Sequence, residues 1–233
     1  MIFHAYYTDV PRPEIDRFVG TQEMGRLVTA AADGPPHIGL YPFVYDGATI
    51  ELHLVAADEQ VADLRARRAC VFEVDDVLGV IPSYWVSQEY AGSATAYHRT
   101  VIFECEATVV ADPAVLATQQ RRLLARYQPE GGYRAVDPAD PLYRGALAQL
   151  AAVRLDIKEI RPKYKLGQNR PVEARRAVIA ELRKRGRPND GRAADALEWT
   201  VMVEAARDGI APTSAPTFDS APGDSGRSSA TVR

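Results

Sequence analysis

HIGLYPFVYDGATIELHLV, residues 37–55, is the stretch that decides the predicted fold. It contains two apolar runs, at 37–45 and 48–55, which are separated only by Asp46 and Gly47. Asp-Gly between two such runs is a strong signal for a β-hairpin, because glycine tolerates the positive φ that a two-residue turn requires. The stretch therefore predicts two antiparallel strands joined by a tight turn.

The rest of the chain continues this β-rich pattern and adds helices. Further strands are predicted at 26–32, 69–74, 94–110 and 151–160, and helices at 58–68, 113–127, 171–185 and 192–207. The early hairpins and the missing strand–helix–strand rhythm favour an antiparallel β-barrel with helices packed outside it. The sequence has no GxGxxG, P-loop, HExxH or CxxC motif, which argues against a dinucleotide-binding fold, most hydrolases, NTPases and structural zinc sites.

The composition of the 233 residues is that of an ordinary globular protein, with 46% hydrophobic residues, 25% charged residues and a formal net charge of -3. No run approaches the roughly 18 consecutive apolar residues that a membrane helix needs. The N-terminus lacks a signal-peptide pattern, and Cys70 and Cys105 lie in apolar runs, as is typical of buried, reduced thiols. We therefore expect a cytoplasmic protein that binds neither membranes nor nucleic acid.

Changes in composition divide the chain into three parts. Residues 1–185 contain all the predicted strands and are expected to form the barrel domain. The linker GRPNDG at 186–191 leads into a C-terminal helical extension over 186–209. Residues 210–233 are rich in Ala, Pro, Thr, Ser and Gly, and we expect them to be a disordered tail because they have little apolar surface to bury.

Several segments, taken in order, resemble one known superfamily. They are MGRLVT at 24–29, PFVYD at 42–46, LHLVAADEQ at 52–60, PSYW at 82–85 and KYKLGQNRP at 163–171. The order resembles the flavin-binding split-barrel superfamily of pyridoxamine-phosphate oxidases, and the last segment is similar to the K-x-K-L-S-Q-N-R-P ending of its PaiB group, described as FMN-binding negative transcriptional regulators. The resemblance implies a split β-barrel that forms a homodimer, with residues 1–185 as the cofactor-binding domain and the cofactor at the dimer interface.

The chain departs from the PaiB pattern at three places. Leu40 stands where the group has a histidine, and Ala56 stands where it has a basic residue, although the histidine at His53 is kept. The segment ATAYH at 94–98 replaces the group's Pro-Thr-Trp-Asn-Tyr. These differences make the chain an outlying member, so each cofactor contact has to be argued from its own residues.

His53 is the candidate metal ligand. Residues 50, 52 and 54 are apolar and alternate with Thr49, Glu51 and His53, which places His53 on the more polar face of its strand. The resemblance implies a role, because PaiB-like piperazate synthases are haem enzymes that form an N–N bond, and His53 matches their axial iron ligand. A neutral imidazole suits iron ligation. The alternative is a solvent-facing histidine beside Glu51.

Arg99 is a candidate cofactor-binding residue. It is in register with Val101, Phe103 and Cys105, which places it on an otherwise apolar face where a guanidinium requires an anion. A flavin phosphate would satisfy it through paired hydrogen bonds. The alternative is that Arg99 lies just beyond the buried part, at the start of its strand.

Lys165 and Gln168 lie in the best-matched segment, which is interpreted as a loop between the last strand and the following helix. Gln168 is expected either to hydrogen-bond a planar heterocycle or to cap the helix that follows. Lys165 is expected to offset a phosphate or propionate, or to act as an acid or base if desolvated. The alternative for Lys165 is a solvated loop charge.

The leading functional prediction is an FMN-binding oxidoreductase that acts on a small-molecule substrate. The first alternative is a haem b enzyme of the piperazate-synthase kind, and the second is a PaiB-like transcriptional regulator without catalysis. The sequence feature that suggests a DNA-binding regulator is a basic cluster at Arg175, Arg176, 183–185 and Arg187. An apolar stripe accompanies this cluster, so we interpret the cations as the solvated face of a helix and do not expect DNA binding.

Overall fold

Seven antiparallel strands form one continuous sheet in the computed structural model, which describes residues 2–209. The strands are β1 (Met24–Thr29), β2 (His37–Pro42), β3 (Val44–Tyr45), β4 (Thr49–Val55), β5 (Ala69–Ile81), β6 (Thr95–Val110) and β7 (Leu150–Lys165). Their order across the sheet is β2-β1-β5-β6-β7-β4-β3. The two edge strands, β2 and β3, are neighbours in the chain, which decides how the sheet closes.

The sheet closes into a barrel at Phe43, which separates β2 from β3. β2 pairs with β1, while β3 pairs with β4 after the predicted Asp46-Gly47 turn. At the fully buried Phe43 the backbone contacts Tyr127: the Phe43 N–H donates a hydrogen bond to the Tyr127 hydroxyl at 3.0 Å, and this hydroxyl lies 2.8 Å from the Phe43 carbonyl and 2.6 Å from the Glu23 carbonyl. The predicted antiparallel barrel is therefore confirmed, and the homodimer stays a prediction.

Seven helices of the described residues flank this barrel. They are α1 (Ala5–Thr8), α2 (Arg12–Thr21), α3 (Glu59–Ala66), α4 (Pro113–Tyr127), α5 (Pro141–Leu147), α6 (Val172–Arg185) and α7 (Asp190–Arg207). The predicted cap of α3 is confirmed, because the Asp58 carboxylate accepts a hydrogen bond from the Gln60 amide at 2.8 Å. Among residues 2–209, no helix has the length and apolarity needed to cross a membrane.

Two groups of buried side chains hold the helices on the barrel. The main core fills the barrel and includes Ala193 and Leu197, so α7 packs into the same core as the strands. A second core joins α4 and α5 to the outer surface of the sheet, with Leu116 and Leu147 packed near Ala152 of β7. The predicted disordered tail at 210–233 lies outside the described residues.

Two predicted strands end too early. β5 continues to Ile81 rather than residue 74, and β7 continues to Lys165 rather than residue 160. In β7 the register shifts by one residue, since Glu104 opposes Glu159 while Cys105 opposes Ile157. This bulge breaks the apolar alternation that sequence reading depends on, so the KYK segment was wrongly assigned to a loop. The N-terminal helices α1 and α2, and also α5, were missed.

His37 ties β2 to α3 through ionic contacts. Its Nδ1 lies 2.7 Å from Asp63 Oδ2 and its Nε2 lies 3.5 Å from Glu59 Oε2. The hydrogen bond to Asp63 is the main cause that raises the pKa of His37 above its ordinary value. The Asp63 carboxylate also accepts from Thr29 Oγ1 at 2.6 Å, and the two hydrogen bonds lower the pKa of Asp63 despite some desolvation.

We expect the stabilisation that His37 provides to depend on pH. Because the folded-state pKa of His37 is raised, its contribution is complete below the unfolded-state value of about 6.5 and is lost as pH rises through the folded-state value. Urea unfolding should therefore show a larger advantage of wild type over His37→Gln at about pH 5.5 than at about pH 8.5. His98→Gln is the control: burial lowers the pKa of His98, so its pH dependence should have the opposite sign.

Candidate cofactor site

A basic face lies on the outside of the barrel where β6 begins and β7 ends. We define it by His98, Thr100, Lys163 and Lys165, because His98 pairs with Lys165 and Thr100 pairs with Lys163 across the two strands. Their side chains alternate with the inward-facing Arg99 and Tyr164, as expected for neighbouring strands. The pairing of β6 with β7 therefore places Lys163 and Lys165 next to His98, although more than 60 residues separate them from it in the sequence.

The two lysines of the basic face have no carboxylate partner in the described chain, whereas Asp75, which pairs with Thr100 across β5 and β6, lies close enough to His98 to raise its pKa. Within residues 2–209, no carboxylate lies within ion-pair distance of Lys163 or Lys165. The pKa of His98 is lowered first by burial and then by these two lysines, and its Nδ1 lies 3.0 Å from Thr100 Oγ1. The two ammonium groups are donors that suit a phosphate, while Thr100 is only 5% exposed and its hydroxyl is engaged with His98.

Aromatic and apolar side chains border the basic face. The Phe3 ring lies 4.5 Å from the Arg161 guanidinium and 6.0 Å from Lys163 Nζ, which holds the N-terminal segment beside β7. On the other side, Val77 of β5 pairs with His98 and is 60% exposed. A planar ring system can therefore lie on apolar surface while its anionic group contacts the lysines.

The Gln168 side chain stabilises the turn that follows Lys165. Its Oε1 accepts a hydrogen bond from the Leu166 amide at 2.8 Å, and its Nε2 donates to the Tyr164 carbonyl at 2.7 Å. Gly167 has a φ of 81°, which only glycine adopts readily, and a side chain there would face the Tyr97 ring. Both ends of the Gln168 amide are thus engaged, and its position fixes the end of β7 at Lys165.

Arg99 is buried inside the barrel, and its anion is a residue of this chain. Arg99 Nη2 donates to Asp76 Oδ2 at 2.7 Å, and its guanidinium lies 4.6 Å from the Phe18 ring. Arg192 of α7 donates to the same Asp76 oxygen at 2.7 Å. The sequence indicated the inward direction of Arg99 and its need for an anion. Within this chain that anion is the carboxylate of Asp76, and the expected contact of Arg99 with a flavin phosphate stays a prediction.

His53 lies on the outer face of β4, opposite Ala152 of β7. Its Nδ1 is buried without a hydrogen-bond partner among the described residues, and burial lowers its pKa. The imidazole is therefore neutral at pH 7 and has the protonation state that an iron ligand requires. An iron-bound histidine ordinarily donates from Nδ1 to an acceptor, which residues 2–209 do not supply here.

Lys165 ends β7, whereas His53 of β4 pairs with Ala152 near the start of β7. On β7, Ala152 is the residue opposite His53, and it is 13 residues from Lys165, which is about 40 Å measured along the extended strand. The two side chains are therefore far apart along the sheet within one chain. The basic face and His53 are two separate candidate positions, the first with donors for a phosphate and the second with a neutral imidazole that lacks an acceptor at Nδ1.

Most of the basic cluster on α6 pairs with carboxylates. Arg183 pairs with Glu198 at 2.6 Å, and Arg185 pairs with Asp190 at 2.6 Å. Arg175 corrects the interpretation of this cluster as a solvated face, because it is fully buried and its guanidinium donates to Thr200 and Glu204 of α7. α6 therefore uses these cations to hold α7.

A seven-stranded antiparallel sheet with helices outside it is the architecture of the flavin-binding split barrels. The profile of the family described as "Putative FMN-binding domain" matches residues 1–159, and the chain belongs to this family. No curated protein matches the chain.

Solved structures share this fold at low sequence identity. The conserved hypothetical protein Rv2991 from Mycobacterium tuberculosis is 24% identical, with a TM-score of 0.51, over 70% of this chain and 90% of that one. The flavocytochrome Anf3 from Azotobacter vinelandii is 16% identical, with a TM-score of 0.59, over 71% and 72%. The FAD and haem binding protein from Mycobacterium smegmatis is 16% identical, with a TM-score of 0.56, over 68% and 73%.

Proposed function

We propose that the protein is an FMN-binding oxidoreductase that acts on a small molecule. The observation that carries this proposal is the basic face, where two lysines without carboxylate partners in the described chain lie beside exposed apolar surface. An anion placed there gains charge-assisted hydrogen bonds and displaces no internal ion pair. Membership of the FMN-binding family and the split-barrel fold support the same cofactor.

Residues of this chain have different roles at the proposed site. Lys163 and Lys165 hold the phosphate, and the Gln168 turn keeps Lys165 in position. The alternative role for Lys165 is to hold a proton next to a bound substrate, in which case Lys163 holds the phosphate without it. A bound flavin supplies the electron or hydride transfer, while the protein contributes binding, orientation and electrostatics. Arg99 has a positioning role, because its ion pair with Asp76 fixes β6 behind His98.

The proposal includes a homodimer with the cofactor at its interface. The outer face of β2 exposes Ile38 by 67% and Leu40 by 54%, which is apolar surface that a second copy would cover. A second copy also offers the one route by which His53 and Lys165 would approach one cofactor. Leu40→Lys is expected to give a monomer in analytical ultracentrifugation, and Thr108→Lys is the control on another strand. A monomeric wild type would contradict the dimer.

The absorption spectrum of the purified protein tests the cofactor. The protein would be expressed with both riboflavin and a haem precursor supplied. Paired bands near about 370 and 450 nm are expected from bound flavin. A colourless protein that takes up no added FMN would overturn the proposal.

A second candidate is a haem-dependent enzyme similar to the piperazate synthases of the PaiB group, which form an N–N bond. The observation that favours it is His53, whose half-buried imidazole is held neutral by desolvation, which is the protonation state that an iron ligand requires. A sharp band near about 400 nm that disappears in His53→Ala would support this candidate over the flavin. His98→Ala is the matched control, because His98 lies at the opposite end of the barrel.

A further inference from the structure

His98 lies between β5 and β7 on the basic face and presents one ring nitrogen to solvent. It pairs with Lys165 of β7 on one side and with Val77 of β5 on the other, and its side chain is half-buried. Its Nδ1 lies 3.0 Å from Thr100 Oγ1. Its Nε2 has no hydrogen-bond partner among residues 2–209 and is not enclosed by them. A ligand on the basic face can therefore reach Nε2 directly.

The contact with Thr100 holds the imidazole in place in either protonation state. Thr100 is only 5% exposed, and its hydroxyl lies against His98 Nδ1. A hydroxyl can donate to Nδ1 of a neutral imidazole and can equally accept from Nδ1–H of an imidazolium. With the hydroxyl as the donor, the neutral ring carries its hydrogen on Nε2, so Nε2–H is a donor in both states. His98 can thus gain a proton at Nδ1 without moving.

The charges of this chain favour the neutral form of His98. Burial lowers the pKa of His98 first, and Lys163 and Lys165 lower it further, while Asp75 of β5 raises it. The Asp75 carboxylate is already paired with Arg26. A phosphate held by the two lysines would place negative charge beside the imidazole, and an opposite charge within about 6 Å favours the protonated form.

We propose that His98 is a third phosphate ligand of the basic face and that it takes up a proton when FMN binds. This inference rests on the proposed function, because it assigns a role at the same site. Nε2–H donates to a phosphate oxygen, and the added proton comes from solvent and is held at Nδ1. The two lysines hold the phosphate next to the ring, so the contribution of His98 depends on them. Riboflavin has no phosphate and is expected to bind without proton uptake.

The titration of His98 in the full-length wild-type protein tests the inference directly. Its imidazole Cε1–H signal would be followed by ¹H–¹³C NMR between about pH 5 and pH 9, without flavin, with saturating FMN and with saturating riboflavin. We expect FMN to move the midpoint of this titration upward by about one pH unit or more, and riboflavin to leave it unchanged. His37 is the internal control, because it pairs with Asp63 of α3 and should titrate alike in all three samples.

His98→Gln measures what the added proton contributes to affinity. Glutamine keeps an N–H donor but takes up no proton, so it loses the charge-assisted bond to the phosphate. Wild type should bind FMN about tenfold more tightly than His98→Gln at about pH 6, and less than about threefold more tightly at about pH 8.5. A phosphate monoester itself titrates near about pH 6, but this effect cancels because both proteins bind the same flavin. His37→Gln is the matched control and should bind FMN like wild type at both pH values.

The outcomes separate this inference from the proposed function. FMN binding with an unchanged His98 titration, or an affinity ratio that is the same at both pH values, overturns the inference and leaves the flavin site standing. An equal shift of the His98 titration with riboflavin also overturns it, since the phosphate would then not be the cause. Absence of FMN binding overturns the proposed function as well. Thermal unfolding shows whether His98→Gln is folded, and the wild-type NMR titration decides the matter if it is not.

Discussion

Asp76→Ala is expected to lower the free energy of unfolding by about 3–5 kcal/mol. Asp76 is 8% exposed and is the anion for two arginines, Arg99 and Arg192, each at 2.7 Å. Removing the carboxylate leaves the buried Arg99 guanidinium without a counter-ion. This costs more than the ion pair contributes, because the charge stays desolvated. Arg192 is half exposed, and water compensates for most of its loss.

Asp75→Ala is the matched control for this experiment. Asp75 is the neighbouring residue, but it lies on the outer face and pairs with Arg26, which also contacts Glu73 at 2.9 Å. Its loss should cost less than about 1 kcal/mol, as for other exposed ion pairs. Urea unfolding followed by circular dichroism measures both variants. Equal effects of the two substitutions would contradict the role assigned to Asp76.

The double variant Lys163→Gln/Lys165→Gln is expected to bind FMN about 100-fold more weakly than wild type. Each lysine is assigned a charge-assisted hydrogen bond to the phosphate, and such bonds contribute about 1.5–3 kcal/mol each. Two of them correspond to at least a 100-fold change in dissociation constant. Quenching of flavin fluorescence measures this constant directly.

Lys158→Gln is the matched control for the lysine variant. Lys158 lies on the same strand, β7, but its ammonium pairs with Glu106 at 3.2 Å. Its charge is therefore already compensated, and its loss should change FMN affinity less than twofold. If Lys158→Gln weakens binding as much as the double variant does, the phosphate is not held by the basic face. A general loss of positive charge would then explain both results.

The barrel could be predicted from the sequence because its strands obey simple patterns. In β4, Ile50, Leu52 and Leu54 alternate without interruption, and Asp46-Gly47 fixes the turn before them. α4 was predicted with the correct ends, since Asp112 and Pro113 are strong start signals. The end of β7 could not be predicted in this way, because its bulge changes which residues face inward.

The candidate site was harder to predict, because it depends on which strands are neighbours. The alternation of residues in β6 placed Arg99 inside and His98 outside, which is correct. It gave no sign that Asp76 would face Arg99, since this contact follows from the pairing of β5 with β6. The grouping of His98 with Lys163 and Lys165 likewise requires the register of β6 on β7.

Comparing FMN with riboflavin is the most direct test of the central claim, because the two flavins differ only in the phosphate. Wild-type protein stripped of cofactor would be titrated with each flavin, with fluorescence quenching as the signal. The basic face predicts that FMN binds at least about tenfold more tightly than riboflavin, and that the double lysine variant removes this difference. Equal affinity of the two flavins for the wild-type protein would contradict the account.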